Sequence, residues 1–241
     1  TIIGVLVMAN STVAKTVSSF AIVIDQAHAA ALQIELATYQ KVLEEDGLRV
    51  HLLVDNWTSP EPIRAQLHRL YQEQALEGAV FIGNIPVPMI RDAQHLTSTF
   101  KMPQHLDWVI SSVPSDRYYD DFDLQFTFLK KDAKHDHLFY YTLNADNAHR
   151  IQIDIYTGRL KPPTDKLSES VEMIRAYLQK AIYLRKIHNP VDQVATYTAE
   201  GYNSNALMSW ASVLVGFRNQ FGPLFEGKGH VSFSNYTNQP F

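Results

Sequence analysis

The sequence contains no cysteine among its 241 residues. This absence excludes disulfide bonds, thiolate metal ligands and a cysteine nucleophile supplied by the chain itself. It does not identify a compartment, because many secreted proteins also lack cysteine.

Two glycine motifs of enzyme sites are also missing. A Gly-x-Ser-x-Gly segment, which marks a serine nucleophile at a strand-to-helix turn, does not occur. No Gly-x-Gly-x-x-Gly follows the first predicted strand, where Ile24-Asp25-Gln26 leads directly into helix. A dinucleotide site of that type is therefore not expected.

Positive charge is sparse, with 21 Lys and Arg against 25 Asp and Glu. No basic run is longer than Lys130-Lys131, so we expect no nucleic-acid partner, since phosphate binding needs a dense basic surface. No apolar run reaches the roughly 18 residues of a membrane-spanning helix, so no transmembrane segment is predicted. The apolar start Thr1–Met8 fits an edge strand better than the tail of a processed signal segment.

The remaining sequence alternates apolar strands with helical patterns, which is typical of an α/β protein with a parallel sheet. We predict a three-layer α/β/α sandwich with a mostly parallel six-stranded sheet. The predicted strands are Phe20–Asp25, Leu48–Val54, Gly78–Gly83, Ile151–Tyr156, Gln193–Thr198 and His230–Ser234. The predicted helices are Gln26–Glu45, one starting at Thr58-Ser59-Pro60, one capped by residues 162–165 and ending near Lys186, and Asn203–Phe221.

The alternation stops over residues 84–150, where prolines replace long helical patterns. Phe126–Leu129 and Leu138–Tyr141 predict a β-hairpin within this insertion. We expect residues 1–241 to form a single domain. Its last strand has no following helix to cover it, so we expect that domain to be incomplete at its C-terminus.

The insertion contains an acidic, aromatic loop, Ser115–Asp123. Its carboxylates Asp120, Asp121 and Asp123, together with Asp116, could be relieved of mutual repulsion by a calcium ion. The loop lacks the glycine and late glutamate of a helix-loop-helix calcium site. A solvated turn, whose carboxylates accept hydrogen bonds from backbone N–H groups, is therefore the favoured alternative.

Asp154 lies inside the apolar predicted strand Ile151–Tyr156. A carboxylate inside a covered parallel sheet costs several kcal/mol unless it is paired, and Arg159 is close in sequence. We therefore expect an Asp154–Arg159 pair. The alternative is an acid that orients a catalytic histidine.

Three segments resemble the gingipain-like cysteine peptidases of the C25 type. They are EGAVFIGNIP at 77–86, PSDRYYDDFD at 114–123, and a strand that ends in GRL at 158–160 before a long helix. The resemblance spans about residues 20 to 200. It implies a caspase-like fold and a protein that is secreted or held in the bacterial cell envelope. It also implies that Asp154 assists the catalytic histidine.

The chain departs from this family at the catalytic dyad. The family's cysteine has no counterpart, and His230 stands at the start of a predicted strand after Gly229, not in a His-Gly at a strand end. We therefore expect the N-terminal portion of a gingipain-like cysteine endopeptidase, acting on protein or peptide substrates, with no cofactor beyond a structural calcium.

The alternative function is a secreted, non-catalytic caspase-like module that binds protein or glycan through the insertion. Asp116 and Arg159 would supply polar contacts in this module. Aromatic contact area would come from Trp108, Tyr118, Tyr119, Phe122, Tyr140 and Tyr141. A small-molecule-binding α/β domain is a third possibility that rests on fold analogy alone.

Overall fold

The structure is a computed structural model that describes residues 17–91, 112–144 and 152–187, and the strands at 194–198 and 231–235. Thr1–Met8, Trp108, His230 and the predicted helix Asn203–Phe221 lie outside the described residues. The chain divides into two compact units, Thr1–Arg185 and Lys186–Phe241.

The first unit alternates strands and helices up to the insertion. Its elements there are β1 (Ser19–Asp25), α1 (Gln26–Ala31), α2 (Gln33–Glu45), β2 (Arg49–Asp55), α3 (Pro60–Gln74) and β3 (Leu76–Ile82). The insertion holds β4 (Val87–Arg91), β5 (Ser112–Pro114), α4 (Arg117–Asp120), β6 (Phe126–Lys131) and β7 (Leu138–Leu143). β8 (Tyr156–Leu160) and α5 (Leu167–Lys186) follow. The second unit contains β9 (Val194–Thr198) and β10 (Val231–Asn235).

Among the residues that the structure describes, the central sheet of the first unit has four parallel strands in the order β2-β1-β3-β8. The α/β class with a parallel sheet is thus confirmed, but the single six-stranded caspase-like sheet is wrong. β9 and β10 pair in parallel with each other. Apolar runs identified β1, β2, β3, β9 and β10 correctly. Such runs carry no information about which strands become neighbours in a sheet.

Both faces of this sheet are covered, which explains why every residue of β1 is buried. Ala21 and Val23 pack in one cluster with the α3 residues Ile63 and Leu67 and with the insertion. Their neighbours Phe20, Ile22 and Ile24 face a second cluster built from α1, α2 and α5. The period-two alternation of a strand therefore assigns its side chains to two separate cores.

The insertion is more than the predicted hairpin. The hairpin itself is confirmed, with β6 antiparallel to β7 and Phe128 opposite Tyr141. β4 and β5 extend it to a mixed four-stranded sheet in the order β5-β4-β7-β6. β4 was missed because Pro88, which lacks an N–H donor, argues against a strand with neighbours on both sides.

Two predicted boundaries are wrong. The predicted helix Gln26–Glu45 is two helices, separated at the fully buried Leu32, whose φ of −118° and ψ of 20° are not helical. The fourth predicted strand, Ile151–Tyr156, is shifted: β8 begins at Tyr156, and Gly158 lies within it opposite Val80. The shift moves Asp154 out of the sheet and into the preceding loop.

Candidate functional site

Arg159 in β8 forms an ion pair with Asp116, which precedes α4. Arg159 Nη2 lies 2.6 Å from Asp116 Oδ1, and Arg159 Nε lies 3.2 Å from Oδ2. The guanidinium also donates to the carbonyl oxygens of Ile85 and Pro86 and lies over the Phe81 ring. One side chain thus joins the three segments that carry the sequence resemblance.

Asp154 does not have the predicted partner, since Arg159 binds Asp116 instead. Asp154 Oδ2 accepts a hydrogen bond of 2.7 Å from the Phe122 N–H, and its own N–H donates to the Asp120 carbonyl. These bonds fasten the loop before β8 to the acidic loop. Asp154 precedes the amino-terminal end of its strand, whereas sites in open parallel sheets collect at the carboxyl ends.

Asp120 is a buried carboxyl group at the end of α4. Its Oδ2 accepts a hydrogen bond from the Thr157 hydroxyl at 2.9 Å, and its Oδ1 lies 3.0 Å from Arg117 Nη1. Burial raises the pKa of Asp120 from 3.8 to about 6, although the bonds from Thr157 and Arg117 oppose this rise. A carboxyl group that titrates this close to neutrality can exchange a proton under physiological conditions.

An open cleft of about 460 Å³ lies beside this carboxyl group, and we call it the acidic cleft. Its polar lining consists of Ser115, Asp116, Arg117, Asp120, Tyr156 and Thr157. The acidic loop therefore contributes to a concave surface, as expected of a loop with a function.

The carboxylates predicted to hold calcium have separate partners. Asp121 is fully buried and accepts hydrogen bonds from the N–H groups of Leu124 and Gln152, while Asp123 is exposed. Burial raises the pKa of Asp121, with further contributions from the charges of Asp154 and Asp123. Within the described ranges, no three His, Asp or Glu side chains converge in a way that could hold a metal ion.

Tyr118 and Tyr119 were expected on a binding surface, but both are buried in the core. The Tyr119 hydroxyl donates to the Pro86 carbonyl at 2.9 Å, and burial raises its pKa well above the ordinary value. The Tyr118 ring packs on that of Tyr141, whose hydroxyl donates to Glu61 at 2.5 Å. These rings therefore stabilise the insertion. Contact with a ligand would be made by the polar side chains that line the acidic cleft.

Arg64 on α3 supports the acidic loop and was missed by the sequence analysis. Its guanidinium donates to the carbonyl oxygens of Tyr118, Asp121, Phe122 and Leu124. Its positive charge also faces the carboxylates of that loop. No sequence signal marks this arginine, because its role depends on carbonyls more than 50 residues away.

A second group of polar side chains lies at the carboxyl end of β1, and we call it the switch-point network. It consists of Asp25, His28 and Ser170, all buried. Asp25 Oδ2 lies 2.6 Å from His28 Nδ1, and His28 Nε2 lies 2.8 Å from Ser170 Oγ. The strand order changes direction between β1 and β3, and in open α/β sheets such a point is the usual site of ligand binding.

The Asp25 carboxylate is well satisfied. Burial raises its pKa, but hydrogen bonds from the His28 ring, the Asn84 N–H and the His28 N–H outweigh burial, so the pKa lies below 3.8. The Asp-x-x-His spacing could have signalled an N-capping carboxylate, since Asp25 Oδ1 accepts from the His28 N–H. Ser170 lies 142 residues further on, so no local pattern connects it with His28.

No family model, curated protein or solved structure matches this chain. These comparisons neither support nor contradict the resemblance to gingipain-like peptidases. Among the described residues, no helix is both long and apolar enough to cross a membrane.

Proposed function

We propose that this chain is the N-terminal portion of the catalytic domain of a gingipain-like cysteine endopeptidase, secreted or held in a bacterial envelope. The observation that carries the proposal is the two-point contact between Asp116 and Arg159. This contact, with the bonds from Arg159 to the carbonyls of Ile85 and Pro86, joins the three resembling segments in one place. The parallel pairing of β1, β2, β3 and β8 supports the α/β class that this proposal requires, although the sheet is not the six-stranded one of a caspase-like fold.

In this proposal the chain provides the sheet and one wall of the substrate site, and residues outside this sequence provide the thiolate and its histidine. A well-placed substrate does not react by this chemistry without a thiol nucleophile, so the present chain alone hydrolyses no peptide in this way. Asp154 holds the acidic loop, because its Oδ2 accepts a hydrogen bond from the Phe122 N–H. It is not given a catalytic role, because it precedes the amino-terminal end of β8.

The test uses the protein purified from its natural source. Its intact mass is compared with the 27.4 kDa of these residues, and it is treated with a peptidyl acyloxymethyl ketone that alkylates active-site thiolates. We expect a larger mass and labelling that prior iodoacetamide treatment prevents. A mass of 27.4 kDa without labelling would overturn the peptidase proposal.

The acidic cleft favours a second candidate, a non-catalytic module that binds peptides. Its volume of about 460 Å³ accommodates a side chain or a short peptide segment, and Asp116, Arg117 and Asp120 offer polar contacts. Isothermal titration with a defined peptide library, followed by mass spectrometry of the peptides, tests this candidate. Binding without cleavage that Asp120→Asn weakens supports it, whereas binding unaffected by Asp120→Asn counts against it.

A further inference from the structure

The switch-point network has the connectivity of a hydrolase relay. The Asp25 carboxylate can only accept at His28 Nδ1, so in the neutral ring Nδ1 carries the proton. Nε2 then accepts from the Ser170 hydroxyl, at 2.8 Å. In hydrolases this order of carboxylate, imidazole and hydroxyl lets the imidazole remove the hydroxyl proton when the oxygen attacks.

The backbone that follows β3 packs closely against Asp25 and His28. Gly83, just after β3, has a φ of +78°, and a Cβ there would lie 2.2 Å from Asp25 Oδ2 and 2.6 Å from His28 Nδ1. The following Asn84 N–H donates to the same Oδ2 at 2.7 Å. Gly83 therefore leaves room for the imidazole, and the Asn84 N–H fixes the position of the carboxylate.

Asp25 has a structural role as the N-cap of α1, but that role does not require the imidazole of His28 or the hydroxyl of Ser170. Helix α5 already packs on this face of the sheet through Val171, Ile174 and Leu178. Burying a carboxylate, an imidazole and a hydroxyl carries a desolvation cost that apolar residues of the same volume avoid.

A nucleophilic role for Ser170 requires access through the start of α5. Ser170 is only 3% exposed, but the preceding residues 165–169 are all exposed, and Ser170 lies in the first turns of the helix. Asn84, whose N–H donates to Asp25, is itself exposed, and its Oδ1 accepts a hydrogen bond from the exposed Lys161 Nζ. The ends of helices open locally at a small fraction of the cost of global unfolding.

We propose that Ser170 is a serine nucleophile for small ester substrates, with His28 as general base and Asp25 as its orienting acid. Ser170 Oγ attacks the ester carbonyl carbon as its proton passes to His28 Nε2. The bond to the leaving alcohol then breaks, and the alcohol takes that proton. Water, deprotonated by His28, hydrolyses the acyl-serine and restores the hydroxyl. This site is independent of the peptidase proposal, because it uses neither a thiol nor the acidic cleft.

The test is covalent labelling of the folded protein with diisopropyl fluorophosphate, in which Ser170 displaces fluoride from phosphorus. We expect one added phosphoryl group, mapped by peptide mass spectrometry to Ser170. Ser170→Ala should abolish the label, whereas Ser168→Ala, which removes an exposed serine two residues earlier, should leave it unchanged.

The variant His28→Asn retains an amide donor for Asp25 but removes the base. If it is folded by circular dichroism, its labelling rate should fall at least about tenfold, as loss of a general base does. An unlabelled wild-type Ser170, or equal labelling rates in folded His28→Asn and wild type, would overturn the proposal.

Discussion

Arg159 and Asp116 form a two-point ion pair, with Nη2–Oδ1 at 2.6 Å and Nε–Oδ2 at 3.2 Å. The pair links an edge of the described parallel sheet to the loop that begins α4. Both side chains are largely buried, so the pair is less screened by water and salt than an exposed one. It therefore holds the wall of the acidic cleft in place.

Asp116→Asn should lower the free energy of unfolding by about 1–3 kcal/mol, because it removes the charge that the partly buried guanidinium faces. Urea denaturation followed by circular dichroism measures the change. The matched control is Asp136→Asn, which removes a carboxylate from the exposed pair with Lys131 and should have no measurable effect. Equal midpoints for all three proteins would contradict a stabilising role for the Asp116–Arg159 pair.

Arg64→Lys should destabilise the protein by about 2–4 kcal/mol, although the charge is kept. A lysine ammonium cannot span the four carbonyl oxygens that the planar guanidinium reaches, so buried acceptors would lose their donors. Arg69→Lys, an exposed position on the same helix, is the control. Similar losses at the two positions would show that the guanidinium contacts are not the cause.

The Arg64 contacts also show how far the sequence could predict this molecule. Local signals sufficed for β1, β2, β3 and the hairpin, and Gly47, with φ of +91°, ends α2 as expected. The position of a segment in the fold could not be predicted where contacts with residues distant in sequence determine it. The alternating segment at 151–156 favours a strand, yet the N–H groups of Asp154 and Ile155 donate to the Asp120 carbonyl instead.

The same limit applies to the candidate sites. The acidic loop lines a concave surface, which the sequence did not predict, and the roles of its members depend on burial. Tyr119 and Asp121 have no exposed surface, and their partners come from segments that the sequence does not place beside them. The switch-point network was missed for the same reason, since its hydroxyl belongs to a distant helix.

Asp120 should make the protein less stable as the pH rises from about 4 to 6. Its pKa is about 6 in the folded state, against 3.8 for an ordinary Asp, so in this window the folded state binds more protons than the unfolded state. The difference corresponds to at most about 3 kcal/mol. Asp120→Asn, compared with wild type by urea denaturation at several pH values, should remove this contribution. Parallel pH profiles for the two proteins would contradict the raised pKa.

Calcium at millimolar concentration should leave the melting temperature unchanged. Both oxygens of Asp121 already accept backbone hydrogen bonds, and Asp120 is bound to Thr157 and Arg117, so these carboxylates do not converge on one ion. Differential scanning fluorimetry with calcium, and with chelator as the control, measures this. A rise in melting temperature that the chelator reverses would show that the loop rearranges around a metal.

Gly83→Ala should destabilise the protein by about 2–5 kcal/mol and disturb the switch-point network. The alanine would combine the strain of a φ of +78° with contacts of 2.2 Å to Asp25 Oδ2 and 2.6 Å to His28 Nδ1.

Gly47→Ala is the control, because its φ of +91° brings the same kind of strain with no atom within 4 Å of the new Cβ. That variant should lose only about 1–2 kcal/mol. The difference between the two losses, measured by urea denaturation, isolates the steric fit around Asp25 and His28, and equal losses would mean that Gly83 serves the turn alone.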